Sequence, residues 1–173
     1  MVIRNVLEST GIYLSAFDVV WMGKMPAKYR RPGLRFEYPE NWTLEEERSG
    51  GGGASVTVYS PGGAFWTVAL HPRETSPLKL VEAVVQAMRE EYTDLDVEEV
   101  REITAGHELI GYDLAFFYLD LTNTAKIRSL RTRYGTYSFF YQGEDREFDA
   151  VEKVFQAMTA SLLKNLDDPR LWD

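Results

Sequence analysis

Only two histidines occur in this chain of 173 residues, His71 and His107. Each stands beside a turn composition, and neither HxH nor HExxH spacing is present, so a zinc site would need both imidazoles plus carboxylates from elsewhere. No metal and no cofactor is expected. Cysteine is absent, which removes thiolate nucleophiles, thiolate metal ligands and disulfides together. Serine and threonine are plentiful, yet none lies in a GxSxG elbow or an SxxK pair with helical support, so nothing singles out a nucleophile. Carboxylates come in local runs, Glu45 to Glu47, Glu90 with Glu91, and Glu98, Glu99 and Glu102. Acid–base catalysis by two carboxyl groups needs environments that split their pKa values, and side chains hydrated side by side in a run give no such split. No catalytic residue is expected.

Asp113 is different, because it interrupts an aromatic segment where an unpaired carboxylate would cost several kcal/mol. Arg128, Arg131 or Arg133 on the following strand is its natural partner. Strand alternation places Lys126 and Arg128 on one face and Arg131 and Arg133 on the other, so the cluster makes no continuous stripe for phosphates. The interaction candidates are Trp42, Trp66, Arg128 and Arg131: tryptophan and arginine are favoured at interface hot spots, although tryptophans buried in a hairpin are equally ordinary. The glycines of SGGGGA (Ser49 to Ala54) are followed by a β-rich stretch, not by Lys-Ser or Lys-Thr and a helix, and so read as a loop and not a phosphate cradle.

These residues must be positioned by a small set of elements. LRFEY, from Leu34, alternates with period two and stops at Pro39; SVTVY and AFWTVALH, separated by SPGG, read as an antiparallel hairpin. Ser76-Pro77 is a helix start, and Leu78, Val81, Val84, Val85, Met88 and Tyr92 make one apolar stripe. LDVEEVREI is followed by a turn at AGHE and by LIGYDLAFFYLDL. In that strand Ile110, Tyr112, Leu114, Phe116 and Tyr118 share one face, and Gly111, Asp113, Ala115, Phe117 and Leu119 the other. Thr122-Asn123 marks a turn, KIRSLRTRY returns, and TYSFFYQ is the last strand. Phe148, Val151, Phe155, Met158 and Leu162 give a closing helix from Asp145 to about Lys164, with Pro169 beyond it. Strands in blocks and not in strict alternation with helices predict an α+β fold with an antiparallel sheet of about six strands.

Nineteen basic against 27 acidic side chains leave a net charge of −8, which repels phosphate backbones and anionic headgroups; no nucleic acid is expected. Ser15 and Asp18 interrupt the apolar stretches near the N-terminus, so no membrane insertion is expected. Residues 1–24 are read as a leader or extra element, 25–166 as a single domain and 167–173 as a tail. A cytoplasmic location follows, or secretion if the leader is a degenerate signal.

The F-x-YP-x-x-W opening (Phe36, Tyr38, Pro39, Trp42), SVTVYSPGGAFWTVAL and the closing Phe155 to Leu162 stretch resemble the superfamily containing the Ran-binding protein Mog and the photosystem II subunit PsbP, in particular its uncharacterised bacterial branch. The resemblance runs from about Lys28 to Leu163. It implies an α-β-α sandwich, and relatives that work by binding: a small GTPase, a photosystem, or secreted effectors held by chaperones. The expected function is a non-catalytic protein-binding or adaptor domain, monomeric or homodimeric, with another protein as partner. The alternatives are a chaperone-like binder of apolar segments or a carrier of small apolar ligands; an enzyme ranks below these.

Overall fold

The computed structural model describes residues 25–48 and 53–172. The leader at 1–24 and most of the glycine run lie outside them. In chain order the elements are β1 (Ala27–Arg31), β2 (Leu34–Tyr38), β3 (Thr43–Arg48), β4 (Ala54–Tyr59), β5 (Phe65–His71), α1 (Pro77–Glu91), β6 (Asp96–Thr104), β7 (His107–Tyr118), β8 (Leu121–Arg131), β9 (Thr136–Glu144), α2 (Asp145–Asn165) and a 3-10 turn (Pro169–Trp172). Seven strands form one sheet in the order β3-β4-β5-β9-β8-β7-β6, with each neighbouring pair antiparallel. The fold is therefore α+β around an antiparallel sheet, as the blocks of strands predict.

The helices take opposite faces because the strands alternate. On β8, Ala125 and Ile127 pack under α1 with Val81, Val85, Leu114 and Phe116. Leu130, one pleat out of phase, joins the core under α2, among Trp66, Val68, Phe139, Phe155 and Met158. Burying a side chain such as Phe155 or Met158 contributes about 1.5–3 kcal/mol, so this second cluster carries much of the stability. Helix α1 starts as its sequence dictates: the Ser76 hydroxyl accepts the Lys79 N–H and Pro77 fills the first turn. Leu78, placed in the apolar stripe by spacing, is instead exposed at the helix start.

Three features depart from the sequence pattern. The leading strand does not enter the main sheet. Leu34–Tyr38 pairs with β1 in a separate two-stranded ribbon, turned by Pro32 and by Gly33 at φ +77°. AKYRR alternates only from Ala27 to Arg30, too short a run beside Pro26 and Pro32 to announce β1. The ribbon lies beside α2: Phe36 sits 4.9 Å from the Trp66 ring, the Glu37 N–H donates to Ser161 Oγ at 2.7 Å, and Asn165 Nδ2 donates to the Arg35 carbonyl. Second, Glu45 to Glu47 belong to β3, an edge strand on which these three side chains are exposed while the backbone pairs with β4. With β3 included the sheet has seven strands. Third, the β7–β8 turn falls at Leu119-Asp120, not at Thr122-Asn123, and both turn residues have positive φ, 49° and 61°. Residues 167–172 pack onto the domain: Leu171 is fully buried, and the Gly33 N–H donates to its carbonyl at 2.9 Å. Among the described residues no helix is long and apolar enough to cross a membrane.

Candidate functional site

Helix α2 covers β9 and part of β8 but leaves the β6 end of its face open. A cleft of about 700 Å³ results, lined by Glu102 and Thr104 from β6, Lys126 and Arg128 from β8, and Gln156 and Ala160 from α2. Its floor is a chain of charges. Arg128 is 2% exposed. Its Nη2 donates to Asp113 Oδ1 at 2.6 Å, and its Nη1 donates to the Tyr112 and Ile127 carbonyls at 3.0 and 3.1 Å. The Nε stands 3.0 Å from Glu102 Oε2, an ion pair in which the N–H is not aimed at the oxygen. Glu102 also accepts a hydrogen bond from the Thr104 hydroxyl at 3.3 Å. Burial alone would lower the Arg128 pKa; the Asp113 and Glu102 carboxylates outweigh it and hold the guanidinium above its ordinary value. Lys126 extends the chain, with Nζ 2.6 Å from Glu152 Oε1 on α2 and 3.6 Å from Asp113 Oδ2.

Gly111 makes this floor possible. It pairs with Arg128 across the β7–β8 register, and a Cβ there would run into the Ile127 carbonyl oxygen. Glycine in mid-strand marks a close backbone approach. Here the two strands draw together under the arginine, whose side chain reaches from β8 over β7 to Glu102 on β6. Deeper still, the Trp66 indole N–H donates to Thr159 Oγ1 at 2.9 Å, and Thr159 shares a second hydrogen bond of 2.7 Å with the Tyr141 hydroxyl. Burial pushes the Tyr141 phenol well above its usual range, so this hydroxyl stays protonated.

Of the four interaction candidates from sequence, Arg128 alone lines the cleft. Trp66 is fully buried in the core and presents no surface to a partner; Trp42 is partly buried, edge-on to Phe155 at 5.7 Å. Arg131 is exposed on the α1 side, where its Nη2 donates to the Thr75 carbonyl at 3.1 Å. The structure does not bring the four together. Among the three arginines offered as partners of Asp113 it selects Arg128, and adds Lys126; Arg133 lies in the turn after β8, over the Tyr134 ring. Glu152 was not anticipated, because only the packing of α2 brings it to Lys126. Gly111 carried a signal that could have been used, as a glycine inside an otherwise bulky strand.

The histidines lie apart from this floor. His71 Nε2 hydrogen-bonds Ser138 Oγ at 2.9 Å, and burial lowers its pKa; His107 lies 3.8 Å from Asp167. Among the described residues no group of three or more potential metal ligands converges.

A sheet of this order with one helix on each face matches the solution structure of the cyanobacterial PsbP protein (CyanoP) of Synechocystis sp. PCC 6803, with a TM-score of 0.50 at 14% identity over 79% of this chain and 90% of that one. The fold is PsbP-like. A crystal structure from Bacteroides thetaiotaomicron is similar at a TM-score of 0.51 and 14% identity, over 78% of this chain and 46% of that one. LpqN of Mycobacterium tuberculosis, involved in cell envelope biogenesis, aligns at a TM-score of 0.42 and 12% identity, over 84% of this chain and 94% of that one. No protein-family model and no curated protein matches the chain. What the PsbP-like fold supplies is a frame; function must be argued from the cleft and the surface.

Proposed function

We propose that this chain is a non-catalytic protein-binding or adaptor domain, acting in the cytoplasm, that engages its partner at the cleft between α2 and β6. The reading includes the likeness to Mog and to the uncharacterised bacterial branch, carried by Phe36, Tyr38, Pro39 and Trp42. The observation that supports it is that both cations on the cleft floor are already matched by carboxylates, Arg128 by Asp113 and Glu102, Lys126 by Asp113 and Glu152. Groups paired in this way fix the shape of the cleft. Side chains locked into ion pairs with one another are occupied in holding the fold, and among the described residues no serine or histidine lines the cleft beside them. The cleft borders β6, the last strand of the sheet, whose outer edge offers backbone donors and acceptors to an extended segment of a partner. Acidic side chains at Glu98, Glu99 and Glu102 discourage indiscriminate pairing along that edge.

The test is capture from native lysate on the immobilised full chain, beside an Ala160→Trp variant that fills the cleft from its partly exposed wall. Partners held by the parent and lost by the variant are expected. Equal capture by both, or substrate turnover that disappears with Asp113→Asn, overturns the reading. The volume of the cleft, within the span of roughly 300–1,000 Å³ typical of small-molecule sites, favours a second reading as carrier of a small apolar ligand. Native mass spectrometry of the freshly purified protein separates the two, since a carrier would bring its ligand with it.

A further inference from the structure

At the opposite end of the same strands, the β7–β8 hairpin ends in four large apolar side chains standing in solvent: Phe117 is 65% exposed, Tyr118 53%, Leu119 77% and Leu121 54%. Scattered apolar residues on a surface need no explanation, but four within five positions gather at one hairpin tip, with Phe117 and Tyr118 on opposite faces of β7 and Leu119 at its end, and apolar area concentrated in this way marks an interaction site. The turn compounds the cost. Two-residue hairpin turns with positive φ at both positions favour Asn-Gly, because a side chain such as leucine is strained there. Leu119 accepts that strain at φ 49° and still gains no burial within the molecule. The tip is nevertheless held firmly: Asn123 Nδ2 donates to the Leu121 carbonyl at 3.0 Å, and the Tyr92 ring packs on Phe116 at 4.2 Å and edge-on to Tyr118 at 6.3 Å. A preorganised tip loses little entropy on docking.

Charge narrows the choice of partner. Asp120 sits in the turn itself, and Asp94, Asp96 and Asp145 line a groove together with Phe117 into which, among the described residues, no lysine or arginine reaches. Four carboxylates around an apolar tip repel an anionic lipid surface and disfavour tip-to-tip pairing of two copies. We propose that the β7–β8 tip docks into an apolar socket rimmed by lysine or arginine side chains on a partner protein. This rests on the reading of the chain as a protein-binding domain and adds to it a second surface. Leu119 stands eight positions along the chain from Gly111, which lies opposite Arg128 in the cleft floor, so the tip and the cleft lie roughly 25 Å apart along the strand, the separation an adaptor can use.

The test places a photoreactive phenylalanine analogue at Phe117 in the full chain, crosslinks in the producing cells, and maps the adducts by mass spectrometry. A probe at Ala160 reports on the cleft, and one at Glu82 on α1 serves as the background. The expected result is an adduct at Phe117 to another protein, through a peptide flanked by Lys or Arg. Replacing Leu119-Asp120 by Asn-Gly should lower the yield at least about tenfold, as losing a hot-spot side chain does. The same replacement should leave the melting temperature equal or higher, which separates lost docking from lost folding. Adducts at Phe117 that are insensitive to Asn-Gly, that join only a second copy or lipid, or that do not exceed the Glu82 background overturn the tip proposal. Protein adducts at Ala160 in that case leave the cleft reading standing; none at either position removes both.

Discussion

The two halves of the β7–β8 hairpin handle exposure in opposite ways. Towards Gly111 and Arg128 the strands bury a full positive charge and meet it with Asp113 on β7 and Glu102 on β6, while Lys126 shares Asp113 and is itself held by Glu152 on α2. Towards Leu119 they leave four large apolar side chains more than half exposed. A buried charge without partners would be lost to selection quickly, since one broken pair costs several kcal/mol. Exposed leucine costs the folded state little, because it is exposed in the unfolded chain as well. The inner half is thus explained by stability and the outer half is not, which is why function is sought at the tip.

Removing the cation should show the largest effect. Arg128→Ala is expected to lower stability by about 3 kcal/mol in denaturant unfolding, near the low end for breaking a buried pair because Asp113 and Glu102 keep access to water. A loss below about 1 kcal/mol would erase the contrast between the halves. Next, Gly111→Ala should cost about 1–3 kcal/mol by forcing β7 and β8 apart, and the same denaturation midpoints check it. At the tip the sign reverses: Asn-Gly in place of Leu119-Asp120 should raise stability by about 1 kcal/mol and the melting temperature by about 2–4 °C, read by calorimetry. A destabilised variant would make the tip a structural element like the inner half.

The smallest effect is a control on another strand. Burial holds the folded-state pKa of His71 below its ordinary value, so the unfolded chain takes up the proton first as pH falls. The contribution of His71 is therefore full above about pH 6.5 and is lost as pH falls through the folded pKa. Melting temperatures between pH 7.5 and 5 should decline, and His71→Gln should flatten that part of the decline. Arg128 keeps its charge across the whole interval, so its own titration adds nothing to the slope.

Much of the frame was legible because periodicity survives packing. The apolar stripes of α1 and α2, and both faces of β7, follow from spacing alone. What failed were places where backbone pairing overrides side-chain pattern. β1 alternates over only four residues and offers a single large apolar side chain, β3 carries three consecutive glutamates, and a turn of Leu-Asp has none of the chemistry that normally announces one. The site was half legible for a related reason. Asp113 demanded an arginine, but only the register that sets Gly111 opposite Arg128 decides among three. Trp66 shows the limit from the other side: its side chain suits a core and an interface equally, and Thr159, 93 positions away, determines which.

The ribbon has a consequence for how the chain is made. Its anchors are Ser161 and Asn165 on α2, and the bond from Glu37 to Ser161 spans 124 positions. During synthesis at ~5–20 residues per second, β1 and β2 leave the ribosome roughly 6 to 25 s before their berth exists. Through that interval Phe36 has only the Tyr29 ring and, once β5 has emerged, Trp66 to lie against, and the side of the ribbon that faces α2 needs shelter while translation continues.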